Sequence, residues 1–283
     1  MPLDQTGPDY PYEKNMGFFD HIDELRKRLV RIALMILVFM IVGFFYVPFI
    51  FENIILAPYK PNFWGYQFFC KMGRYFTGTD ITCWNPPVLD MQSQQIQGQF
   101  VAAFKISFIL SIVVTFPYIV HQIWLFIKPA LSAKEIGKTR RSLGVVSLLF
   151  FAGVLFSYYF LVPIASSFLL SYSLSDKIRN VITIASVTGF VTFMSLATGL
   201  VFEMPVLIYI LAKLGMVSSS SLIKRWRIAL VVIFVIAAVA TPSPDVFSQI
   251  LLALPLMLLY VLSIFIARRV EKKRAMEEAS DVV

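Results

Sequence analysis

The sequence predicts an all-α membrane protein with six transmembrane helices. Of its 283 residues, 58% are hydrophobic and only 15% are charged, whereas soluble domains are nearer half apolar and a quarter charged. The mean hydropathy of +0.75 shows the same surplus of apolar side chains, which has to face lipid. A transmembrane β-barrel would instead show alternating hydrophobicity in strands of about ten residues, and the sequence has no such pattern.

Six apolar runs approach the roughly 20 residues that a helix needs to cross a bilayer. They lie at 30–51, 99–119, 142–162, 188–212, 226–241 and 247–267. The fifth run gives a helix of only about 24 Å, which requires local thinning of the bilayer or support from its neighbours. The runs form a single integral membrane domain, 1–283, with an outer loop at 52–98 and a charged tail at 268–283 that we expect to be frayed or disordered.

The distribution of basic residues predicts the orientation of the chain. The N-terminal segment, the loops after the second and fourth runs, and the tail together contain 19 Lys and Arg residues, and the opposite side contains five. The positive-inside rule therefore places both termini in the cytoplasm. A nucleic-acid partner is not expected, because the basic residues lie at span ends and not on one face of a soluble domain.

The last charged block before the first span reads FDHIDELRKRL at 19–29. In a helix, Ile22, Leu25 and Leu29 share one face, and the acids precede the bases in the order that suits the helix dipole. The H-x-x-E-L-R-x-R-L pattern resembles the N-terminus of TatC, the multispanning receptor subunit of twin-arginine protein translocases. Asp23 stands where that family would be expected to have an apolar residue.

Three further stretches carry the same resemblance. The first follows the second span and resembles the first cytoplasmic loop of TatC, with matches at Pro117, Gln122, Trp124, Phe126, Pro129, Leu131 and Glu135. The acid before a proline at 203–205 is similar to the fourth TatC span, and the T-P-x-x-D turn at 241–245 is similar to the turn between its last two spans. The resemblance covers nearly the whole chain and is weakest in the long outer loop and at the termini.

The resemblance implies a receptor that binds twin-arginine signal peptides of folded precursor proteins at the cytoplasmic face. It also implies recruitment of TatA-type and TatB-type single-span subunits, export driven by the proton gradient, and a homo-oligomer within a larger complex. Glu24 and Glu135 are then expected to bind one arginine each. Adjacent side chains of an extended peptide point to opposite sides, and each carboxylate can accept bidentate hydrogen bonds from one guanidinium group.

The remaining residues of this predicted site share the cytoplasmic surface or fix its backbone. The surface residues are His21, Leu25, Arg26, Gln122, Trp124 and Phe126, and the prolines, which we expect to fix turns in the backbone, are Pro58, Pro117 and Pro129. Structural interpretations remain open for each part. Glu24 can form an i,i+4 ion pair with Arg28, Glu135 can close a capping box that starts at Ser132, and the aromatic residues can be interfacial anchors.

The intramembrane Glu203 is the strongest polar signal in the spans, since an ionised carboxylate there costs at least about 2.5 kcal/mol. We expect it to face a concave surface that Pro205 helps to open, although a neutral structural acid is an alternative. Lys105 lies near the outer end of the second span, where it can act as a snorkelling anchor. The turn before the last span offers polar groups for docking partner helices or for capping, namely Thr241, Asp245, Ser248 and Gln249.

The two cysteines, Cys70 and Cys83, both lie in the long outer loop. This side of the membrane is oxidising in the predicted topology, which permits a disulfide. Two free thiols remain the alternative, because the sequence does not give the required geometry.

The sequence contains no recognisable catalytic or metal site, and we expect no enzyme activity and no cofactor. His21 and His121 are the only histidines, and the zinc, serine-nucleophile and phosphate-loop motifs are absent. An intramembrane protease is disfavoured for the same reason. A proton-coupled secondary transporter of a small solute, with Glu203 and Lys105 as carriers, is the main alternative, but it predicts an internal repeat with paired broken helices that the sequence lacks.

Overall fold

The computed structural model describes residues 18–78, 83, 90–127, 133–175, 177, 181–241 and 246–281, and most of them are helical. The α-helices are α1 Phe18–Phe45, α2 Val47–Ile50, α3 Trp64–Thr77, α4 Gly98–Ile127, α5 Ala133–Phe156, α6 Val162–Ser171, α7 Ile184–Val201, α8 Met204–Lys213, α9 Ser219–Lys224, α10 Trp226–Ala240 and α11 Val246–Asp281. Single π-helical turns at Phe51–Ile55 and Ser157–Leu161 extend α2 and join α5 to α6, and a 3-10 turn covers Ala57–Tyr59. In the described part of the chain, strand pairing is confined to β1 Met91–Gln92, which is parallel to β2 Ile182–Thr183.

Five helical stretches are long and apolar enough to cross a membrane. They are Ile22–Phe45, Gly98–Phe126, Leu143–Ser171, Ile184–Lys213 and Ser248–Lys273. The predicted fifth span corresponds to α10, which has only 15 residues and is shorter than these five. The all-helical membrane architecture is therefore confirmed, whereas a sixth crossing rests on the short helix α10.

Prolines lie beside two helix breaks in the spans, where the missing backbone N–H of proline disfavours an unbroken helical ladder. Pro163 is the second residue of α6, which follows the second π-turn, and Pro205 lies in the first turn of α8, just after the break between α7 and α8. Pro117 lies within the continuous helix α4, so the turn expected there from the sequence is not present. Pro58 is buried in the 3-10 turn, and Pro129 lies outside the described residues.

The core lies where α4, α5 and α7 pack together. Its fully buried side chains include Ile106, Phe150, Leu161 and Met194. Buried hydroxyl groups on α4 and α7 mostly bond within their own helices. For example, Ser107 donates to the Ala103 carbonyl oxygen at 2.9 Å. Such internal bonding satisfies polar side chains that have no water to bind inside a membrane.

Two parts of the chain are more ordered than the sequence analysis predicted. The outer loop at 52–98 contains the 14-residue helix α3, and the charged tail continues α11 as far as Asp281. Lys, Arg, Glu, Met and Ala dominate that tail, and all of them favour helices. In addition, Glu271 accepts hydrogen bonds from the Ser219 backbone N–H and from the Ser219 hydroxyl, both at 2.6 Å, which fixes the start of α9 to α11.

The last two helices form an antiparallel pair. The Gln249 side chain on α11 donates to the Phe234 carbonyl oxygen on α10 at 2.8 Å. Further along α11, the Tyr260 hydroxyl donates to the Leu222 carbonyl oxygen on α9, also at 2.8 Å. The end of α11 therefore returns to the end of the molecule where α9 and the start of α10 lie.

Candidate functional site

Glu24 lies on α1 in an ion pair with Arg28, one helical turn later. The Arg28 Nε donates to Glu24 Oε1 at 3.1 Å, and Arg28 Nη2 donates to the same oxygen. The third nitrogen, Nη1, donates to Gln122 Oε1 on α4 at 3.5 Å. These three residues form an inner cluster that ties the start of α1 to the end of α4. The i,i+4 pair that the sequence allowed is therefore present, whereas the bond to Gln122 had no sequence signal.

The second carboxylate oxygen of Glu24 is available as an acceptor. Glu24 Oε2 is buried and accepts no hydrogen bond from any described residue. Leaving a buried acceptor without a donor costs about 1–3 kcal/mol. The inner cluster can therefore gain energy from one more donor, and a cationic donor would gain most because the acceptor carries a negative charge.

The other residues predicted for the cytoplasmic site are only partly described. Leu25 and Arg26 are exposed on α1, and Trp124 and Phe126 are half-buried near the end of α4. The side chains of His21 and Glu135 lie outside the described residues, although the backbone of each is within a helix. The convergence of Glu24 and Glu135 on one peptide thus stays a prediction. Pro58 packs near α6, beyond the opposite end of α1 from the inner cluster.

Glu203 lies at the break between α7 and α8. Both of its carboxylate oxygens are buried, and neither accepts a hydrogen bond from the described residues. It follows Gly199 by one turn, and Gly199 is in close contact with Phe150 and Val154 of α5. Glu203 therefore lies on the side of the α7–α8 region that faces α5.

Lys105 and Glu203 occupy different levels of the molecule. Lys105 Nζ lies beside Gly189. A Cβ atom added to Gly189 would be 2.9 Å from this nitrogen. The 14 residues from Gly189 to Glu203 correspond to about 21 Å along a helix. The pairing of these two residues as proton or solute carriers has no support in this arrangement.

Most of the polar residues predicted between α10 and α11 are buried or hydrogen-bonded within the protein. Thr241 and Ser248 are buried, and Gln249 bonds to the Phe234 carbonyl oxygen. Asp245 lies outside the described residues. These contacts fit the capping and packing interpretation, and docking of partner helices here remains a prediction.

The two cysteines of the outer loop are bonded to each other. Cys70 of α3 is joined to Cys83 by a disulfide, with 4.2 Å between the two Cα atoms. Across the described residues, no group of three or more His, Cys, Asp or Glu side chains is arranged to hold a metal ion.

The close approach of Gly153 on α5 and Gly199 on α7 was missed by the sequence analysis, although small residues at helix interfaces are a known signal for tight packing in membranes.

Comparison with known proteins identifies the family. The profile described as "Sec-independent protein translocase protein (TatC)" matches residues 20–255. A TatC protein of Carboxydothermus hydrogenoformans is 35% identical over 92% of this chain and 96% of its own length. TatCy of Bacillus subtilis is 33% identical, with 94% of each chain covered.

A solved structure shows the same fold. The crystal structure of "Twin Arginine Translocase Receptor- TatC" superposes with a TM-score of 0.67 and 29% identity, covering 88% of this chain and 99% of the other. The chain therefore belongs to the TatC family of Sec-independent protein translocase proteins, which are multi-pass membrane components of a translocase and not enzymes.

Proposed function

We propose that the chain is the receptor subunit that binds twin-arginine signal peptides at the cytoplasmic end of the bundle, where the inner cluster lies. The observation that carries this proposal is the buried and vacant Glu24 Oε2. One peptide guanidinium group donates to this oxygen while Arg28 keeps its hold on Oε1. Arginine is preferred to lysine because its planar fork of donors matches a carboxylate.

The second arginine of the peptide is assigned to Glu135, at the start of α5. Neighbouring side chains of an extended peptide diverge, so one carboxylate cannot easily hold both guanidinium groups. Gln122 belongs to the inner cluster, and Trp124 and Phe126 follow it in the last turn of α4, from which they are proposed to contact the rest of the motif. The proposal is consistent with the name of the solved relative, which describes that protein as a twin-arginine translocase receptor.

We also propose that the bound receptor recruits TatA-type and TatB-type subunits for export driven by the proton gradient across the inner membrane. Large apolar side chains are exposed along α1 and α10, including Leu34, Val38, Val231 and Val239. Such surfaces can pack against single-span helices or a second copy of the chain within the bilayer. Glu203 and the turn at 241–249 are the polar points proposed to guide that packing.

Substitution of Glu24 tests the receptor proposal directly. Glu24→Gln removes the charge but keeps the shape of the side chain, so a charge-assisted hydrogen bond is lost. We expect the affinity for a twin-arginine peptide to fall about ten- to a hundredfold. Binding is measured by photo-cross-linking and titration with the purified protein in lipid nanodiscs, and a Lys-Lys version of the peptide should bind the unmodified protein with similarly reduced affinity.

The matched control is Asp23→Asn, which removes an exposed negative charge from the adjacent position. It should change binding little, because exposed charges are screened by salt. Glu135→Gln should weaken binding as Glu24→Gln does. Unchanged binding in the Glu24→Gln, Glu135→Gln double variant would exclude the two-carboxylate receptor.

A further inference from the structure

The helix α3 has one face that anchors it to the rest of the molecule. Tyr66 is only 4% exposed, and its hydroxyl donates to the Pro163 carbonyl oxygen at 3.2 Å and lies 2.9 Å from the Ser167 hydroxyl. Gly65 packs so closely that an added Cβ atom would overlap the Tyr159 carbonyl oxygen. Cys70 lies one turn after Tyr66 on the same side of α3 and is joined to Cys83 by the disulfide. These contacts fix which face of α3 points away from the protein.

The opposite face of α3 exposes a continuous row of large apolar side chains, which we call the outer stripe. Its members are Trp64, Phe68, Met72 and Tyr75, with exposed fractions of 51%, 36%, 45% and 84%. Spacings of four, four and three residues place them on one side of a helix. A row of this kind on a soluble surface would be unusual, because exposed apolar patches mark interaction sites.

The outer stripe continues an apolar surface on the third membrane span. The Trp64 and Phe68 rings lie 5.7 and 5.4 Å from the Phe160 ring, between ring centroids. A groove lined by Trp64, Phe160 and their neighbours leads onto Leu155, which is 53% exposed on α5. Since Leu155 and Phe160 belong to the span Leu143–Ser171, this surface faces lipid.

The depth of the contact places α3 at a membrane boundary. Leu155 and Phe160 are 12 and 17 residues beyond Leu143, which corresponds to about 18 and 26 Å along a helix. The hydrocarbon core is about 30 Å thick. Trp64 and Phe68 contact Phe160, which lies beyond the midpoint of the span Leu143–Ser171, on the side away from the inner cluster.

Polar side chains follow one edge of the outer stripe. Gln67, Lys71 and Arg74 are exposed and recur at spacings of four and three residues, so they lie side by side along α3. An apolar face with Trp and Phe beside a row of Lys and Arg is the pattern of a helix that lies in the membrane interface. Lysine and arginine at this level can extend their charged ends toward lipid phosphate groups.

We infer that α3 is an interfacial membrane helix whose outer stripe is inserted among the acyl chains of the leaflet farthest from the inner cluster, with Lys71 directed at lipid phosphates. The partner of this surface is phospholipid, because the stripe is continuous with a lipid-facing span and has basic side chains along its edge. In this arrangement, the lipid and the contacts of Tyr66 together hold α3 flat against the membrane.

Quenching of tryptophan fluorescence tests this assignment in nanodiscs that contain one copy of the full chain. Trp84, Trp124 and Trp226 are replaced by Phe so that Trp64 is the sole fluorophore. The matched control adds Trp64→Phe and Gln67→Trp, which moves the fluorophore by three residues to the polar edge of the same helix. Both variants are first required to keep the disulfide and an unchanged melting temperature.

Lipids brominated near the glycerol end of the acyl chain should quench the Trp64 protein several-fold more than the control protein. Aqueous iodide should show the reverse order. Stronger quenching of Trp64 by iodide than by brominated lipid would overturn the inference, because the stripe would then lie in water. Protection from both quenchers would overturn it too, because another part of the protein would then cover the stripe.

Discussion

Two carboxylates in the described part of the chain contain buried oxygens without donors, and their surroundings differ. Glu24 shares one oxygen with Arg28 and keeps only the other vacant. Glu203 has two buried oxygens and no such partner among the described residues. The charge of Glu24 is therefore largely compensated within the protein. The carboxylate of Glu203 is held at an energetic cost, which is common for groups retained because of their function.

Glu203→Gln is expected to separate the effect of this residue on stability from its effect on export. The neutral side chain avoids the cost of placing a carboxylate in apolar surroundings, so the melting temperature should rise or stay the same. Export of a twin-arginine passenger should fall, because the polar point facing α5 loses its charge. Both quantities are measured on the same membranes, with thermal unfolding followed after extraction in one detergent.

Glu52→Gln is the control for this experiment, since Glu52 is exposed on the π-turn after α2. It should leave both quantities unchanged. If Glu203→Gln and Glu203→Ala both export normally, Glu203 has no part in translocation. A fall in melting temperature with normal export would instead identify Glu203 as a structural acid.

At the scale of the helices, the crossing of α5 and α7 depends on two glycines. A Cβ atom on Gly199 would lie 2.7 Å from Val154 Cγ2 and 2.8 Å from Phe150 Cε2. A Cβ atom on Gly153 would lie 2.7 Å from Phe202 Cγ. Small residues let helix backbones approach closely in lipid, where van der Waals packing is a main source of association energy. This crossing also determines how Glu203, one turn further along, faces α5.

Gly199→Ala should destabilise the protein by about 1–3 kcal/mol, because the added methyl group enters a filled core and Phe150 is fully buried. Gly144→Ala is the matched control on α5, where no atom lies within 4 Å of an added Cβ. The control should be neutral or stabilising by up to about 1 kcal/mol, since alanine favours helices over glycine. Unfolding in increasing SDS at constant total detergent measures both changes, and equal stability of the two variants would contradict a tight crossing.

The sequence predicted the spans well because long apolar runs leave few alternatives in a membrane. Pro205, expected from the sequence to help open a surface beside Glu203, follows the helix break at 202–203. Helix α3 was missed because its aromatic, glycine and cysteine residues resemble a loop, and its stability comes from tertiary contacts such as the Tyr66 hydroxyl bonds. The contact between Arg28 and Gln122 joins residues 94 positions apart, and no local pattern reports such a contact.

At the scale of the whole molecule, the number of crossings determines whether the two ends of the chain share a side. The five long spans alone are an odd number and would separate the termini. The distribution of Lys and Arg instead predicts that both termini are cytoplasmic, which requires α10 to cross as well. With 15 residues, α10 spans about 22 Å, several ångströms less than the hydrocarbon core. Its antiparallel contacts with α11 and local thinning of the bilayer can compensate for this difference.

Reporter domains inserted into the full-length chain can count these crossings. Three helices separate the segment after Met216 from the end at Val283, and the first of them, α9, has only six residues, so α10 and α11 are the helices that can cross there. If both helices cross, a fluorescent protein that matures only in the cytoplasm should be bright at both positions. Alkaline phosphatase, which folds only outside the cytoplasm, should be active when it is inserted after Gly78 at the end of α3.

If α10 lies on the membrane without crossing it, the reporters after Met216 and Val283 will fall on opposite sides of the membrane. In that case the predicted six-span topology is wrong. The hydrogen bonds from Ser219 to Glu271 favour a crossing by α10 instead, because they place the end of α11 beside α9.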